Sequence, residues 1–207
     1  MPPETAQQIK YNTPLRQAQR ELTRSRIKNA ARDLFYERHY DTTTMDEIAL
    51  AAGLRRSTLY LHYKDKAEIL SDVIADYAPK AKDSLAKLPG PRPSARQVQR
   101  WVKEVAQFVA KERVPLSIIL EVWHNHANPD AMTKLTSELL AGLGTNNPSF
   151  GEAAQDNADP MLRARAVLLL QELTYSCEAY LNEPTSALTK AFFATTAEDF
   201  SAFLSRE

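Results

Sequence analysis

The run RRSTLYLHYKDK, residues 55–66, gathers hydrogen-bond donors on one short stretch. Wound as a helix of about two turns, it can turn Leu54, Leu59 and Tyr63 inward and leave Arg55, Arg56, Ser57, Tyr60, Leu61 and His62 largely outward. A short cationic face of this kind suits the major groove of DNA, where donors meet base edges and phosphates. Arg55 or Arg56 is a candidate for the bidentate pairing to guanine, and spacing does not choose between them. Other reactive groups are sparse. His124 and His126 lie two apart, so on a regular helix they point about 200° from each other and do not chelate one metal. Cys177 is far from both in sequence, with no local catalytic motif. His39 has no evident partner ligand nearby. An enzyme, a metal site or a cofactor is therefore not expected.

The elements around this face are short helices. Thr44 and Glu47 form the reciprocal pattern of a capping box, which starts a helix at Met45. Met45, Ile48, Ala49 and Ala52 share its apolar face, and Gly53 stands where a left-handed residue ends it. Upstream, Ile27, Ala30, Ala31, Leu34 and Phe35 recur at helical spacing from Thr23 onward, with Arg24, Lys28 and Arg32 on other faces. Three helices around one small core result. Periodicity and a glycine turn by themselves also describe an ordinary helical hairpin.

The literal residues go further. Thr43, Thr44, Ile48, Ala49, Ala52, Gly53, Thr58, Leu59, Tyr60, Lys66, Ile69 and Leu70, with Tyr63 replacing a usual phenylalanine, resemble the DNA-binding domain of the TetR family of bacterial transcription regulators. The resemblance covers roughly residues 23 to 75. His39 stands where the family usually has glycine, Arg55 where it often has a capping serine or threonine, and Ser57 where glycine is frequent. The last two changes add side chains on the DNA-facing side and alter which bases are read. The resemblance implies that Lys66 and the amino end of its helix contact phosphate. Thr44, Arg55, Arg56, Ser57, Tyr60, Leu61, His62 and Lys66 are thus the candidate DNA-binding residues.

Composition sets bounds on the remainder. The 207 residues suffice for one large or two small domains, and 43% hydrophobic residues with 5 glycines favour a helical core. Formal net charge is zero, yet residues 1–64 hold 11 Lys and Arg against 7 Asp and Glu. That asymmetry marks a nucleic-acid end. One cysteine excludes an intrachain disulfide and a multi-cysteine zinc framework. No signal-peptide pattern opens the chain, and no apolar run approaches the ~18 residues of a membrane span, so a cytoplasmic location without membrane contact is expected.

Three domains follow: a flexible basic arm over 1–22, a helix-turn-helix domain over 23–70 and a helical ligand-binding and dimerisation domain over 71–207. In the arm, Lys10, Arg16 and Arg20 are placed to reach phosphates or a minor groove. A fourth helix runs from Lys66 to about Leu85, where Pro79 should bend or interrupt it. LPGPRP, residues 88–93, makes a loop, and Ser94 with Gln97 caps the next helix. Pro115 starts another helix, and Pro129 one that runs to about Leu143. Residues 144–160 read as a flexible polar turn region. Asp159 and Pro160 begin a helix to Leu181, and Pro184 and Thr185 open the last.

The expected fold is all-α. By the family resemblance, the last two helices pair with those of a second subunit, giving a homodimer that reads a palindromic operator in double-stranded DNA. Trp101, Phe108, Trp123, His124, His126, Tyr175, Cys177 and Tyr180 are the candidate lining of a pocket for a small hydrophobic or aromatic effector. The expected function is a sequence-specific transcriptional regulator, a repressor released from its operator by that ligand. The alternative is a regulator whose body binds another protein or no ligand.

Overall fold

A computed structural model describes residues 14–112 and 129–205, without the side chains of 129–132. The expected helix at Pro115 and residues 1–13 of the expected arm lie outside the described residues. Every regular element among the described residues is an α-helix, and the chain divides into two compact units, Met1–Val73 and Ile74–Glu207.

In the first unit, α1 spans Pro14–Arg38, α2 Met45–Ala51 and α3 Arg56–Tyr60. Helix α1 begins nine residues before Thr23, because Pro14 is tolerated in a first turn and LRQAQREL carries good helix formers. The part of the expected flexible arm from residue 14 to 22 is therefore regular helix. It is nearly all exposed, which explains why no apolar face announced it. Ile27, Ala31 and Phe35 are buried with Ile48, Ala49, Leu59 and Tyr63, and the Phe35 ring meets Tyr40 edge-on at 5.2 Å.

Helix α4, Lys66–Leu85, crosses the division between the units in sequence and continues through Pro79, so the proline does not interrupt it. The carbonyl of Ala75 loses its helical donor there, and both residues are exposed, where solvent can satisfy it.

In the second unit, α5 spans Ala95–Glu112, α6 Pro129–Leu143, α7 Pro148–Ala153, α8 Pro160–Asn182 and α9 Ala187–Leu204. The starts read from sequence are present in part: Asp159 caps α8, Ser94 and Gln97 make half of the expected box, and α9 is capped by Ser186, not opened by Pro184 and Thr185. Ser94 shares the Gln97 Oε1 through its amide and hydroxyl at 3.0 and 2.7 Å, and Asp159 accepts the Leu162 amide at 2.8 Å. Helix α7 corrects the expectation of a flexible stretch over 144–160. Phe150 anchors it, fully buried, 5.6 Å from Phe200 and 4.8 Å from Phe203.

Helices α5, α8 and α9 pack together as the body's main core. Between α8 and α9, Ser176 and Thr196 share a buried hydroxyl hydrogen bond of 2.9 Å. At Gly142 a Cβ would stand 2.9 Å from the Lys82 carbonyl oxygen, so only glycine allows α6 this approach to the end of α4. Removing one hydroxyl of the buried pair orphans the other, whereas removing both does not. Ser176→Ala should lower stability by about 1–2 kcal/mol, and adding Thr196→Val should recover most of it, read as urea midpoints at constant slope.

Candidate nucleic-acid interface

The reading face is built from α2, the turn at Gly53 and α3. Thr44 accepts the Glu47 amide at 3.2 Å, while the Glu47 carboxylate accepts the Thr44 amide at 2.8 Å and hydroxyl at 2.9 Å. Those bonds hold the Glu47 carboxyl below its ordinary range. The Thr44 hydroxyl is thereby committed to the cap. Gly53 adopts a φ of +63°, and Arg26 donates to the carbonyls of Ala52 at 2.6 Å and Gly53 at 3.5 Å, fixing the exit of α2. His39 adopts a φ of 66° where a glycine would be at ease, and its carbonyl accepts the Thr43 hydroxyl at 2.8 Å.

Helix α3 starts at Arg55 without a side-chain cap. Arg55, Arg56, Ser57, Tyr60 and Leu61 are exposed, Leu61 at 78%, while Leu59 and Tyr63 are buried as the pattern required. The two arginines differ. Arg56 donates to Asp46 at 2.8 Å and lies 5.6 Å over the Tyr60 ring, whereas Arg55 has no hydrogen bond or ion pair among the described residues.

His62 is half-buried and its Nδ1 lacks a hydrogen-bond partner among the described residues. Burial, then Arg20 and Arg24, push its imidazole below the ordinary histidine value, which keeps it neutral at pH 7. It is less available to DNA than the outward reading of its helix position implied.

Lys66, expected at phosphate, makes internal contacts in this structure. Its ammonium donates to the carbonyls of Tyr40 at 2.5 Å, Thr43 at 2.9 Å and Asp41 at 3.3 Å, and lies 4.2 Å over the Tyr40 ring. A lysine has three donors, so this contact set uses them all to hold the turn between α1 and α2. A phosphate contact by Lys66 would have to displace one of these carbonyls. At the start of α4 the Glu68 amide is also taken, by Asp65 at 2.8 Å.

Sequence reasoning missed the network that orients α3. Arg24 donates to Asp72 at 2.5 Å and to the His62 carbonyl at 3.1 Å, and its guanidinium lies 4.2 Å over the Tyr63 ring. The Tyr63 hydroxyl donates to the same Asp72 oxygen at 2.8 Å. Burial opposes ionisation of Asp72, but the hydrogen bonds from Arg24 and Tyr63 outweigh it and its pKa is lowered. Burial and the bond to Asp72 raise that of Tyr63. The signal was present only as Arg24 on a polar face of α1 and Asp72 on α4.

The expected effector lining is divided. Trp123, His124 and His126 lie outside the described residues. Trp101 is buried against Phe200 at 5.4 Å, and its indole N–H has no acceptor among the described residues. Phe108 is half-buried, 6.2 Å from Tyr77. Cys177 is buried in apolar surroundings, which pushes its thiol up to about 12 and leaves it protonated. Tyr175 is 41% exposed, so it lies on the outer side of α8 and not in an interior wall. Tyr180 is half-buried and stacks on Phe193 at 6.0 Å.

Among the described residues, no group of three or more metal-ligating side chains occurs, and no helix is long and apolar enough to cross a membrane.

The family model "Bacterial regulatory proteins, tetR family" matches residues 27–73. The HTH-type transcriptional regulator AcrR of Shigella flexneri is 27% identical over 173 residues, 79% of this chain and 80% of that protein. A solved tetR-family regulator from Streptomyces coelicolor has the same fold, with a TM-score of 0.63 at 18% identity over 90% of this chain and 82% of its own. Thermus thermophilus FadR, a TetR-family repressor solved with lauroyl-CoA, gives 0.52 at 21% identity over 87% and 93%. The reading head over residues 27–73 thus matches the tetR-family model, and the likeness in sequence to AcrR and in fold to solved tetR-family regulators extends through the body.

Proposed function

We propose that this chain is a dimeric, sequence-specific transcriptional repressor that reads a palindromic operator through α3 and is released by a small ligand bound in the body. The observation that carries the reading is an exposed donor face on a helix whose opposite side is locked into a three-helix core. Arg55 is the leading candidate for base readout, since its guanidinium has no internal partner to leave. Arg56 must exchange Asp46 for DNA, and an exposed pair of this kind opposes the exchange by only about 0.2–1 kcal/mol. Ser57, Tyr60 and Leu61 complete the face.

Support for the dimer comes from α8. Met161, Leu168 and Tyr175 recur every seven residues with exposures of 62%, 57% and 41%, and on α9 Leu188 is 64% exposed near the small, exposed Ala191. A seven-residue apolar stripe on an outer helix face fits a second copy of itself related by a twofold axis. One five-residue helix also reads too few bases for specificity, which a pair of half-sites remedies.

The effector reading rests on the family and on the buried, unpartnered indole N–H of Trp101. FadR of Thermus thermophilus carries lauroyl-CoA, which supports a ligand-responsive body without identifying the ligand here. A ligand lowers operator affinity only by as much as it prefers the conformation that misplaces the reading heads.

Selection of bound DNA from a random pool, at stated salt, tests the whole reading. A palindrome should emerge, and weak, motif-free binding would overturn it. Arg55→Ala should relax base preference at one position per half-site, costing about 1–3 kcal/mol on the operator and little on random DNA. Lys66→Ala should lower the melting temperature while leaving the salt slope of DNA binding unchanged, because its three acceptors are carbonyls of the same chain. Leu168→Glu should give monomers in sedimentation and abolish operator binding without unfolding the helices.

A further inference from the structure

Away from the reading head, the first turns of α5 and α9 and the end of α8 enclose a cleft of about 490 Å³ in the second unit. Arg96, Arg100 and Lys103 line it from one face of α5 and Lys190 lines it from α9. Tyr180 and Phe193, stacked at 6.0 Å with an interplanar angle of 19°, form its aromatic wall. No aspartate or glutamate lines the cleft, and none of the four cations has a hydrogen bond or ion pair among the described residues.

Such an arrangement carries a cost, of which the exposed Glu104, four residues after Arg100 on the same helix, offsets only part. Arg96 with Arg100 and Arg100 with Lys103 are like-charge pairs at helical neighbour spacing, which destabilise a helix. Lys190 adds a fourth charge from another element. Residues 65–207 carry 15 Lys and Arg against 19 Asp and Glu, so a cluster without acids stands out on a body that is acidic by count. The other described cleft of similar size, by contrast, mixes Lys82 and Lys134 with Glu138 and Asp156. Guanidinium groups bind phosphate oxygens in pairs, and a lysine adds a mobile point charge. A half-buried tyrosine ring beside them offers a flat apolar wall to a planar group.

We propose that this cleft binds a small polyphosphate compound of the nucleotide class, its phosphates on Arg96, Arg100, Lys103 and Lys190 and its base against Tyr180. Trp101, on which the effector reading rests, does not line this cleft, whereas Tyr180 of the expected effector lining does. Inorganic triphosphate supplies the phosphates without the base, and ATP supplies both. Tighter binding of ATP than of triphosphate is the expected order.

Isothermal titration of the full chain with ATP and with triphosphate, at low and moderate salt, tests the assignment. Saturable binding should weaken at least about tenfold in Arg100→Glu and in Lys190→Glu, since each replaces a charge-assisted contact by repulsion. Circular dichroism establishes that these exposed substitutions leave the fold intact. Arg55→Ala should leave the titration unchanged, which separates this cleft from the DNA-reading face. No saturable binding of either probe at millimolar concentration, equal binding in the charge-reversed variants, or loss in Arg55→Ala would each overturn the proposal. Equal affinity for ATP and triphosphate would overturn the role of Tyr180 and with it the nucleotide class.

Discussion

The carboxylate of Asp72 is the point on which the reading head depends. Helix α3 has five residues, too few to sustain itself, so its orientation must come from neighbours. Arg24 from α1 and Tyr63 from just beyond α3 both donate to one Asp72 oxygen on α4, and Arg24 also holds the His62 carbonyl. Three elements therefore converge on a single acceptor. Because the hydrogen bonds keep Asp72 ionised against its burial, the junction persists through the neutral range. It loosens only when acid protonates the carboxylate: a group with a lowered folded pKa contributes stability above its unfolded value and loses it as pH falls.

A second constraint works on the opposite edge of the same unit. Lys66 clamps the carbonyls between α1 and α2, and His39 in the left-handed region makes the tight turn that presents them. The family usually places glycine at that turn. Histidine fits because Thr43 and Thr42 donate to the same segment, the Thr43 hydroxyl to His39 and the Thr42 hydroxyl to Arg38, which stabilises a conformation that costs a residue with a Cβ. The lysine that the resemblance places at phosphate thus also ties this turn together.

How much was legible in the sequence follows from which interactions are local. The Thr44–Glu47 box, the Ser94–Gln97 contact, the Gly53 turn and the Asp159–Pro160 start depend on residues three or four apart, and each helix boundary they set lies within a residue or two of the observed one. The buried positions of α1, α2 and α5 follow the same way from a 3.6-residue period. Helix α7 was hidden because one aromatic, Phe150, carries its burial within a polar stretch, and its partners Phe200 and Phe203 lie 50 or more residues away. Tyr175, expected in an interior wall but 41% exposed, departs from its reading for the complementary reason. A helical aromatic has the same appearance in sequence whether it faces a core, a cavity or solvent, and only the neighbouring helix decides.

Charge was the least legible property, because function depends on which cations lack partners and sequence counts them all. The first 64 residues hold an excess of basic side chains, yet Arg24, Arg26, Arg32, Arg38, Arg56 and Lys64 each have an acceptor within the head, as does Lys66 beyond it. Arg20 and Arg55 have no hydrogen bond or ion pair among the described residues of this unit. The same criterion picks out Arg96, Arg100, Lys103 and Lys190 on a body whose net charge points the other way. A cation held by its own fold positions the chain, and one without an internal partner remains free to bind something else.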